Sequence, residues 1–284
     1  VPGYCRAEAE AEIFRYGPHH GEEPPLSGTR GSGTIFFSRC TLKCIYCQNY
    51  PWSQEGRGDC YNVAELAGIL KELAKAGCHN WNLVSPTPWM AQVEKALEIA
   101  RKDGISIPVV YNTSGFERIE VLEQLKGLVD IYLTDLRYSR KESAEEGSGS
   151  GEYAGVARSA LKEMWRLAGP LKVDANGMAV SGTICRLLIL PGHSKEVIEN
   201  LQWLADNVGN GIAVSVMAQY TPAHKAVSRK PWNRRITERE YSAVCSAVER
   251  FGFSAGWVQD FERMSPKELV GFEMKEGPGL DSGK

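Results

Sequence analysis

Apolar residues in this chain occur in two alternating textures. Short continuous runs fall at 34–38, 81–84, 107–111, 129–133, 183–190 and 212–217. They are rich in Val, Ile, Phe, Tyr and Leu, and read as buried strands, with Pro108 near a strand start or a bulge. Between them the apolar positions switch to a helical period. Val63, Leu66, Ala67, Leu70, Leu73 and Ala74 share one face, with Asn62 as a cap and Gly77 as a stop. Val93, Ala96, Leu97 and Ala100 repeat the pattern before Gly104. Val197, Ile198, Leu201, Leu204 and Ala205 repeat it again, and a weaker helix covers 154–168. Thr237-Glu238-Arg239-Glu240 is a capping box opening onto Tyr241, Val244, Cys245 and Val248.

Six strands, each followed by a helix, predict an α/β fold with a parallel sheet and right-handed crossovers. A closed eight-unit barrel takes about 250 residues, and only six units are visible, so the expectation is a partial, open (β/α)6 TIM-type barrel. Chemistry in such sheets gathers at the carboxyl ends of the strands. The barrel is expected over 34–260 as one domain, with an N-terminal extension at 1–33 and a C-terminal tail at 261–284. Residues 138–152, with Gly147-Ser148-Gly149-Ser150-Gly151, read as an exposed flexible insertion. The chain begins Val1-Pro2-Gly3, and the absence of Met leads to the expectation of a start further upstream.

Composition narrows the classes. Of 284 residues, 43% are hydrophobic and 24% charged, which excludes global disorder. A net charge of −2 gives no global electrostatic claim on nucleic acid or membrane, and no apolar run approaches the ~20 residues that span a bilayer. Three of the eight cysteines, Cys40, Cys44 and Cys47, lie within eight residues. That clustering points to metal or cluster chemistry in a reducing compartment, the cytoplasm, rather than to disulfides.

The three cysteines form C-x3-C-x2-C directly after the first strand. Three thiolates so placed can wrap a soft multi-iron centre, and a [4Fe–4S] cube would keep one iron open to another ligand. Alternatively, Cys60 supplies a fourth ligand and closes a zinc or ferredoxin-type site, giving a non-catalytic metal protein.

Cys40-x3-Cys44-x2-Cys47 resembles the signature of the radical S-adenosylmethionine (SAM) superfamily, which is built on a partial (β/α)6 barrel. Gly31-Ser32-Gly33-Thr34-Ile35-Phe36-Phe37, Tyr46-Cys47-Gln48-Asn49-Tyr50, Asn82-Leu83-Val84-Ser85-Pro86-Thr87, Val110-Tyr111-Asn112-Thr113-Ser114-Gly115 and Asp130-Ile131-Tyr132-Leu133 are similar to a branch related to pyruvate formate-lyase activating enzymes. The resemblance covers roughly 22–259 and implies a set of roles. Cys40, Cys44 and Cys47 would hold three irons of a [4Fe–4S] cluster, and SAM would chelate the fourth. Tyr46 would lie against the adenine. Ser85-Pro86-Thr87 stands where the superfamily often has a Gly-Gly-Glu run that contacts the SAM amino group, and so departs from it. Asn112, Thr113 and Ser114 would reach the ribose and carboxylate. Asp135-Leu136-Arg137 resembles an Asp-x-Lys pair that contacts SAM, with Arg in place of Lys. Arg39 and Thr41 stand where the branch usually has Gly and Asn.

Remaining candidates lie at later strand ends. His193 follows Leu190-Pro191-Gly192, and His224 follows Gln219-Tyr220-Thr221-Pro222; both groups are candidate contacts to substrate or SAM. Lys225, Arg229, Lys230, Arg234 and Arg235 form a stretch without an acid. It reads as a solvated loop, or as a contact for an anionic substrate, a peptide terminus or a flavodoxin-type or ferredoxin-type electron donor. Gly28, Gly31 and Gly33 precede a strand and do not make a phosphate loop. Glu22-Glu23-Pro24-Pro25 reads as a turn. Cys78, Cys185 and Cys245 read as core residues, and Cys5 as an ordinary thiol or the last of a cysteine-rich segment. Within the resemblance, the substrate is either a glycine of a large partner enzyme or a small molecule or peptide.

Overall fold

A computed structural model describes residues 10–261; Cys5 and the tail beyond 261 lie outside the described residues. The strands are β1 (Ala11–His19), β2 (Ser32–Phe37), β3 (Asp59–Tyr61), β4 (Trp81–Val84), β5 (Val109–Thr113), β6 (Ile131–Asp135), β7 (Lys172–Val173), β8 (Ala179–Leu188), β9 (Ala213–Met217) and β10 (Gly256–Val258). The helices are α1 (Pro24–Ser27), α2 (Tyr50–Ser53), α3 (Val63–Lys75), α4 (Met90–Lys102), α5 (Ile119–Gln124), α6 (Lys141–Ser148), α7 (Tyr153–Ala168), α8 (Ser194–Asn207) and α9 (Glu238–Phe251).

One sheet runs β10-β9-β8-β6-β5-β4-β2-β1-β3, with β7 paired to β8. From β2 to β10 the neighbours along that path are parallel, while β1 pairs antiparallel with both β2 and β3. The two ends of the path do not pair, so the sheet is an open, partial TIM-type barrel. Six expected strands are present and a seventh parallel one, β10, follows them. Its three residues are too few for a periodic signal. Gly256 makes the pairing feasible, since a Cβ there would lie 1.9 Å from the Val214 carbonyl oxygen, and its φ is +129°. The strand expected at 107–111 begins instead at Val109. Pro108 stands just outside, where its carbonyl accepts the Trp81 amide at 2.9 Å.

Strand alternation divides the apolar residues between two faces. Outward, Ile35, Leu83, Tyr111 and Tyr132 meet Leu66, Leu70, Val93, Leu97 and Met164 of α3, α4 and α7. Cys185, Leu187, Val214 and Val216 meet Leu201, Leu204 and Val244 of α8 and α9. Each fully buried aliphatic side chain contributes about 1.5–3 kcal/mol. Inward, Val110, Ile131, Leu133, Ile184 and Ala213 close around Leu26 of α1. The α3 and α9 starts carry the full reciprocal capping boxes of Asn62 with Glu65 and Thr237 with Glu240.

Two stretches differ from the sequence expectation. Within the N-terminal extension, Ala11–His19 join the sheet as β1, and residues 20–27 enter its curve. Glu22 and Glu23 there grip Arg186 of β8; Arg186 Nε donates to Glu23 Oε1 at 2.7 Å and Nη2 to Glu23 Oε2 at 2.6 Å, with Glu22 also paired to Nη2. The supposed turn is therefore a plug. Residues 138–152 are not a flexible insertion either. They form α6, with Ser143, Ala144, Gly147 and Ser148 buried. Glycine is used for close packing here, as a Cβ at Gly147 would lie 2.4 Å from the Tyr138 hydroxyl oxygen. Among the described residues, no helix is long and apolar enough to cross a membrane.

Candidate active site

A cavity of ≈ 510 Å³ opens at the carboxyl ends of the strands. Cys40, Cys44, Tyr46 and Cys47 of the loop after β2 line one side, with Ser85 after β4, Asn112 and Thr113 at the end of β5, and Ser114 just beyond it. Asp135 at the end of β6, Arg137 beyond it, and Gln219 and Tyr220 after β9 continue the wall. Glu22, Glu23, Arg186 and Ser215 line it deeper in the sheet, and Trp257 and Gln259 stand at β10.

The cysteine loop is fixed from three directions. From α6, the Gly147 carbonyl accepts the Ile45 amide at 2.9 Å and the Ser148 carbonyl accepts the Lys43 amide at 3.1 Å. On the second side, the Ile45 carbonyl accepts the Ala226 amide at 2.9 Å. Gln54 Nε2 donates to the Cys44 carbonyl at 2.8 Å. Arg39, just before Cys40, has φ 69°, the left-handed region that favours glycine. That backbone costs of order 1 kcal/mol or more. Its guanidinium is held at 2.7 and 3.0 Å by Glu12 of β1, which offsets the cost with a bidentate pair.

The chemistry of the thiols follows from their surroundings. Burial pushes the Cys40 thiol up and the Cys44 thiol up to about 12, against the opposing pull of Arg137. Arg137 Nη1 donates to Cys44 Sγ at 3.2 Å while Nη2 pairs with Asp135. The three thiols are free; the neighbouring Cys47 sulfur adds to the rise at Cys40 and at Cys44, and Cys40 adds to the rise at Cys44. Among the described residues no group of three or more His, Cys, Asp or Glu is drawn together around a single metal ion. A four-iron cube needs thiols spread across its width, and three cysteines facing one cavity suit that group. Metal binding would have to release protons from the Cys40 and Cys44 thiols, which burial keeps neutral. Cys60 stands exposed on β3 and does not line the cavity, so the closed four-cysteine alternative is not assembled.

The other expected residues divide into three groups. Tyr46 stacks on Trp232 with ring centroids 5.4 Å apart and shares a hydrogen bond of 2.7 Å with the Tyr138 hydroxyl. Ser85 has φ 56° and, with Asn112, Thr113, Ser114, Asp135, Arg137, Gln219 and Tyr220, faces the main cavity. Thr87 does not. It lines a narrow cleft beside the cavity with Cys40, Thr41, Ser85, Thr113 and Ser114. His193 and His224 are outside the cavity lining altogether. His193 stacks on Trp232 at 4.6 Å, and its Nδ1 lies 2.9 Å from Glu196 Oε1. His224 stacks on Tyr50 at 4.4 Å. Both have structural partners, which is why neither turns inward.

Sequence reasoning missed three acids. Glu22 and Glu23 reach the cavity only because residues 20–27 fold inside the sheet. Arg186 carried a signal, as a lone cation in the apolar run Ile184-Cys185-Arg186-Leu187. Glu117 is the third, 4% exposed. It accepts the Thr87 hydroxyl at 2.7 Å and also the Thr113 hydroxyl, joining the ends of β4 and β5. Burial pushes its carboxyl up, against those hydrogen bonds.

A family model described as Radical SAM superfamily matches residues 34–217. The uncharacterized protein MJ0674 of Methanocaldococcus jannaschii is 31% identical over 261 residues, covering 88% of this chain and 70% of that protein. Among solved structures, native anSMEcpe with bound AdoMet is similar at a TM-score of 0.50 and 13% identity, over 75% of this chain and 58% of that one. The FeFe-hydrogenase maturase HydG from Carboxydothermus hydrogenoformans is similar at 0.53 and 17% identity, over 78% of this chain and 50% of that one. This chain thus spans between a half and three-fifths of the length of those two structures, and the likeness at these identities is one of fold.

Proposed function

Because the chain belongs to the radical SAM superfamily, we propose that Cys40, Cys44 and Cys47 hold a [4Fe–4S] cluster. The chain would hold S-adenosylmethionine beside that cluster, so that a hydrogen atom is taken from a substrate in the same cavity. Family membership makes the protein an enzyme of SAM chemistry; the cluster ligands, the substrate and the partners are the proposal. The observation that carries it is the convergence of three free thiols and four strand ends on one cavity of ≈ 510 Å³. The cofactors together supply a 5′-deoxyadenosyl radical, and that chemistry is theirs.

The work of the chain is placement and shielding. Arg137, braced by Asp135, presents a fixed cation beside Cys44 and suits a carboxylate. Tyr46, clamped between Trp232 and the Tyr138 hydroxyl, offers a rigid aromatic face toward an adenine. Asn112, Thr113 and Ser114 offer amide and hydroxyl groups to ribose oxygens. Phe36, Trp52 and Leu188 give the same cavity apolar walls, which exclude water from a reactive centre.

An electron must reach the cluster, and a flavodoxin-type or ferredoxin-type donor in the cytoplasm is the proposed source. Exposed Lys225, Arg229 and Lys230 support this, since their segment is hydrogen-bonded to the cysteine loop at Ile45. None of the three has an ion pair among the described residues. An activating role toward a glycine of a partner enzyme and a role on a small molecule or peptide share all of this chemistry.

The test is anaerobic reconstitution with iron and sulfide, then dithionite and SAM, with 5′-deoxyadenosine as the product measured. Cys44→Ala should abolish cluster and product, and Cys60→Ala should retain both. A fully loaded wild-type cluster that yields no 5′-deoxyadenosine would overturn the reading.

A further inference from the structure

Each of the three thiols in the cysteine loop has a hydrogen-bonding group beside it, and the three groups differ in kind. The Leu42 amide donates to Cys40 Sγ at 3.5 Å, and Arg137 Nη1 donates to Cys44 Sγ at 3.2 Å. The Ser53 hydroxyl oxygen lies 3.3 Å from Cys47 Sγ. The first of these belongs to the backbone of the loop itself, and the second is shared with Asp135. Ser53 stands apart from both. It comes from α2, and its Oγ has no other hydrogen-bond partner among the described residues.

Packing places this hydroxyl. The Trp52 indole stacks on Phe14 of β1 with ring centroids 4.2 Å apart, and meets Phe36 of β2 edge-on at 6.1 Å. The three rings form an apolar cluster of their own. Hydrogen bonds then tie α2 to both ends of the cysteine loop. The Trp52 carbonyl accepts the Arg39 amide at 3.0 Å, next to Cys40, and the Cys47 carbonyl accepts the Tyr50 amide at 3.4 Å. The Ser53 amide donates to the Asn49 carbonyl at 2.9 Å. Ser53 is buried in the wall of the main cavity, so its hydroxyl is held against the Cys47 sulfur.

While both groups carry protons, either can donate. Binding iron settles the direction. The thiol gives up its proton, a thiolate can only accept, and Ser53 becomes the donor. Reduction adds one electron to the cluster, supplied by the electron donor proposed above, and breaks no bond in the protein. A hydroxyl proton aimed at a ligand sulfur stabilises the more negative state more than the less negative one, and so raises the reduction potential.

We propose that Ser53 is a positioning residue whose hydroxyl donates to the Cys47 sulfur and raises the reduction potential of the cluster, so that a weaker reductant suffices. The proposal rests on the [4Fe–4S] reading above and deepens it. It makes α2, and through Trp52 the aromatic contact with β1, part of what sets the demand on the electron donor.

The experiment is a potentiometric titration of anaerobic, iron-reconstituted protein, with the reduced cluster followed by electron paramagnetic resonance. At a fixed potential, Ser53→Ala should lower the ratio of reduced to oxidised cluster about three- to tenfold, the range of one net hydrogen bond. That is a fall of about 30–60 mV in midpoint, at about 59 mV per tenfold for one electron. Ser53→Thr keeps the hydroxyl and should stay near wild type. A purely structural role would reduce the iron bound without moving the midpoint of the clusters that form, and an unmoved midpoint overturns the proposal. If Ser53→Ala fails to load iron, Ser53→Thr and Ser53→Val decide, because they match in shape and differ in the hydroxyl. The Val midpoint should lie below the Thr midpoint by the same amount, and equal midpoints overturn the proposal. 5′-Deoxyadenosine is measured on the same wild-type sample. Product with an unmoved midpoint in the variants overturns the role of Ser53 alone; no product from a loaded cluster overturns the function as well.

Discussion

Residues 20–27 lie inside the curve of the sheet, and residues 138–152 lie outside it against the cysteine loop; the two segments are secured by different forces. The inner segment is held by charge. Arg186, 14% exposed, bridges Glu22 and Glu23, while Asn82 Nδ2 donates to Glu22 Oε1 at 2.8 Å. The Arg186 guanidinium draws the Glu23 carboxyl below the usual carboxylate range, against the desolvation that would raise it. The outer segment is held by close packing and hydrogen bonds. Glu196 of α8 accepts the Ser139 amide at 2.9 Å, the Arg140 amide at 3.1 Å and the Ser143 hydroxyl at 2.7 Å. It thereby caps the start of α6 from another helix. A buried ion cluster is intolerant of losing one member, whereas a packed small-residue contact is intolerant of gaining volume.

That contrast orders the expected effects. The largest is Arg186→Leu, which strands two carboxylates inside the sheet and should cost about 3–5 kcal/mol in urea unfolding. Combining it with Glu22→Gln and Glu23→Gln should recover much of the loss. A single variant within about 0.5 kcal/mol of wild type would mean that charge does not hold the plug.

Next is Gly147→Val, where the added side chain meets Tyr138; about 1–3 kcal/mol is expected. Because the Gly147 carbonyl supports Ile45, iron bound per chain after reconstitution should fall with it. Normal iron loading in a destabilised protein would separate the clamp from the cluster loop.

Glu196→Gln should cost about 1–2 kcal/mol at neutral pH, allowing for partial solvent screening. Hydrogen bonds from His193, Ser143 and the Ser139 and Arg140 amides hold Glu196 down to about 2, against desolvation that raises it. A depressed folded pKa stabilises above the unfolded value, near 4.5, and that contribution is lost as pH falls toward about 2. Wild type and variant should therefore converge in thermal melts across that window; parallel curves would count against the cap.

The smallest effect on the fold belongs to Lys225→Glu, Arg229→Glu and Lys230→Glu combined, expected within about 0.5 kcal/mol of wild type. Dithionite-driven 5′-deoxyadenosine formation should be unchanged, while reduction by flavodoxin should slow by about tenfold at low salt. Equal slowing with both reductants would remove the donor reading.

Some of this was legible because it is local. The C-x3-C-x2-C spacing and the apolar runs are written within a few residues, and so are the capping boxes at Asn62 and Thr237. What was not legible depends on distant partners. Gly147 and the glycines near it carry the same signal whether they mark flexibility or close approach, and only Tyr138 decides between them. Glu117 gains meaning from Thr87, thirty residues away in sequence and within hydrogen-bond reach in space. His193 and His224 stand near strand ends, as read, yet Trp232 and Tyr50 set the directions of their rings.

The plug also has a consequence for the order of assembly. Glu22 is separated from Arg186 by 164 residues, a contact far longer than those that build each strand–helix unit. During synthesis, the acidic pair emerges first and stays without its guanidinium until β8 has been made. The inner segment is therefore locked late, by the fifth strand of the barrel, and a nascent chain ending before Arg186 has its sheet begun but its interior unsecured.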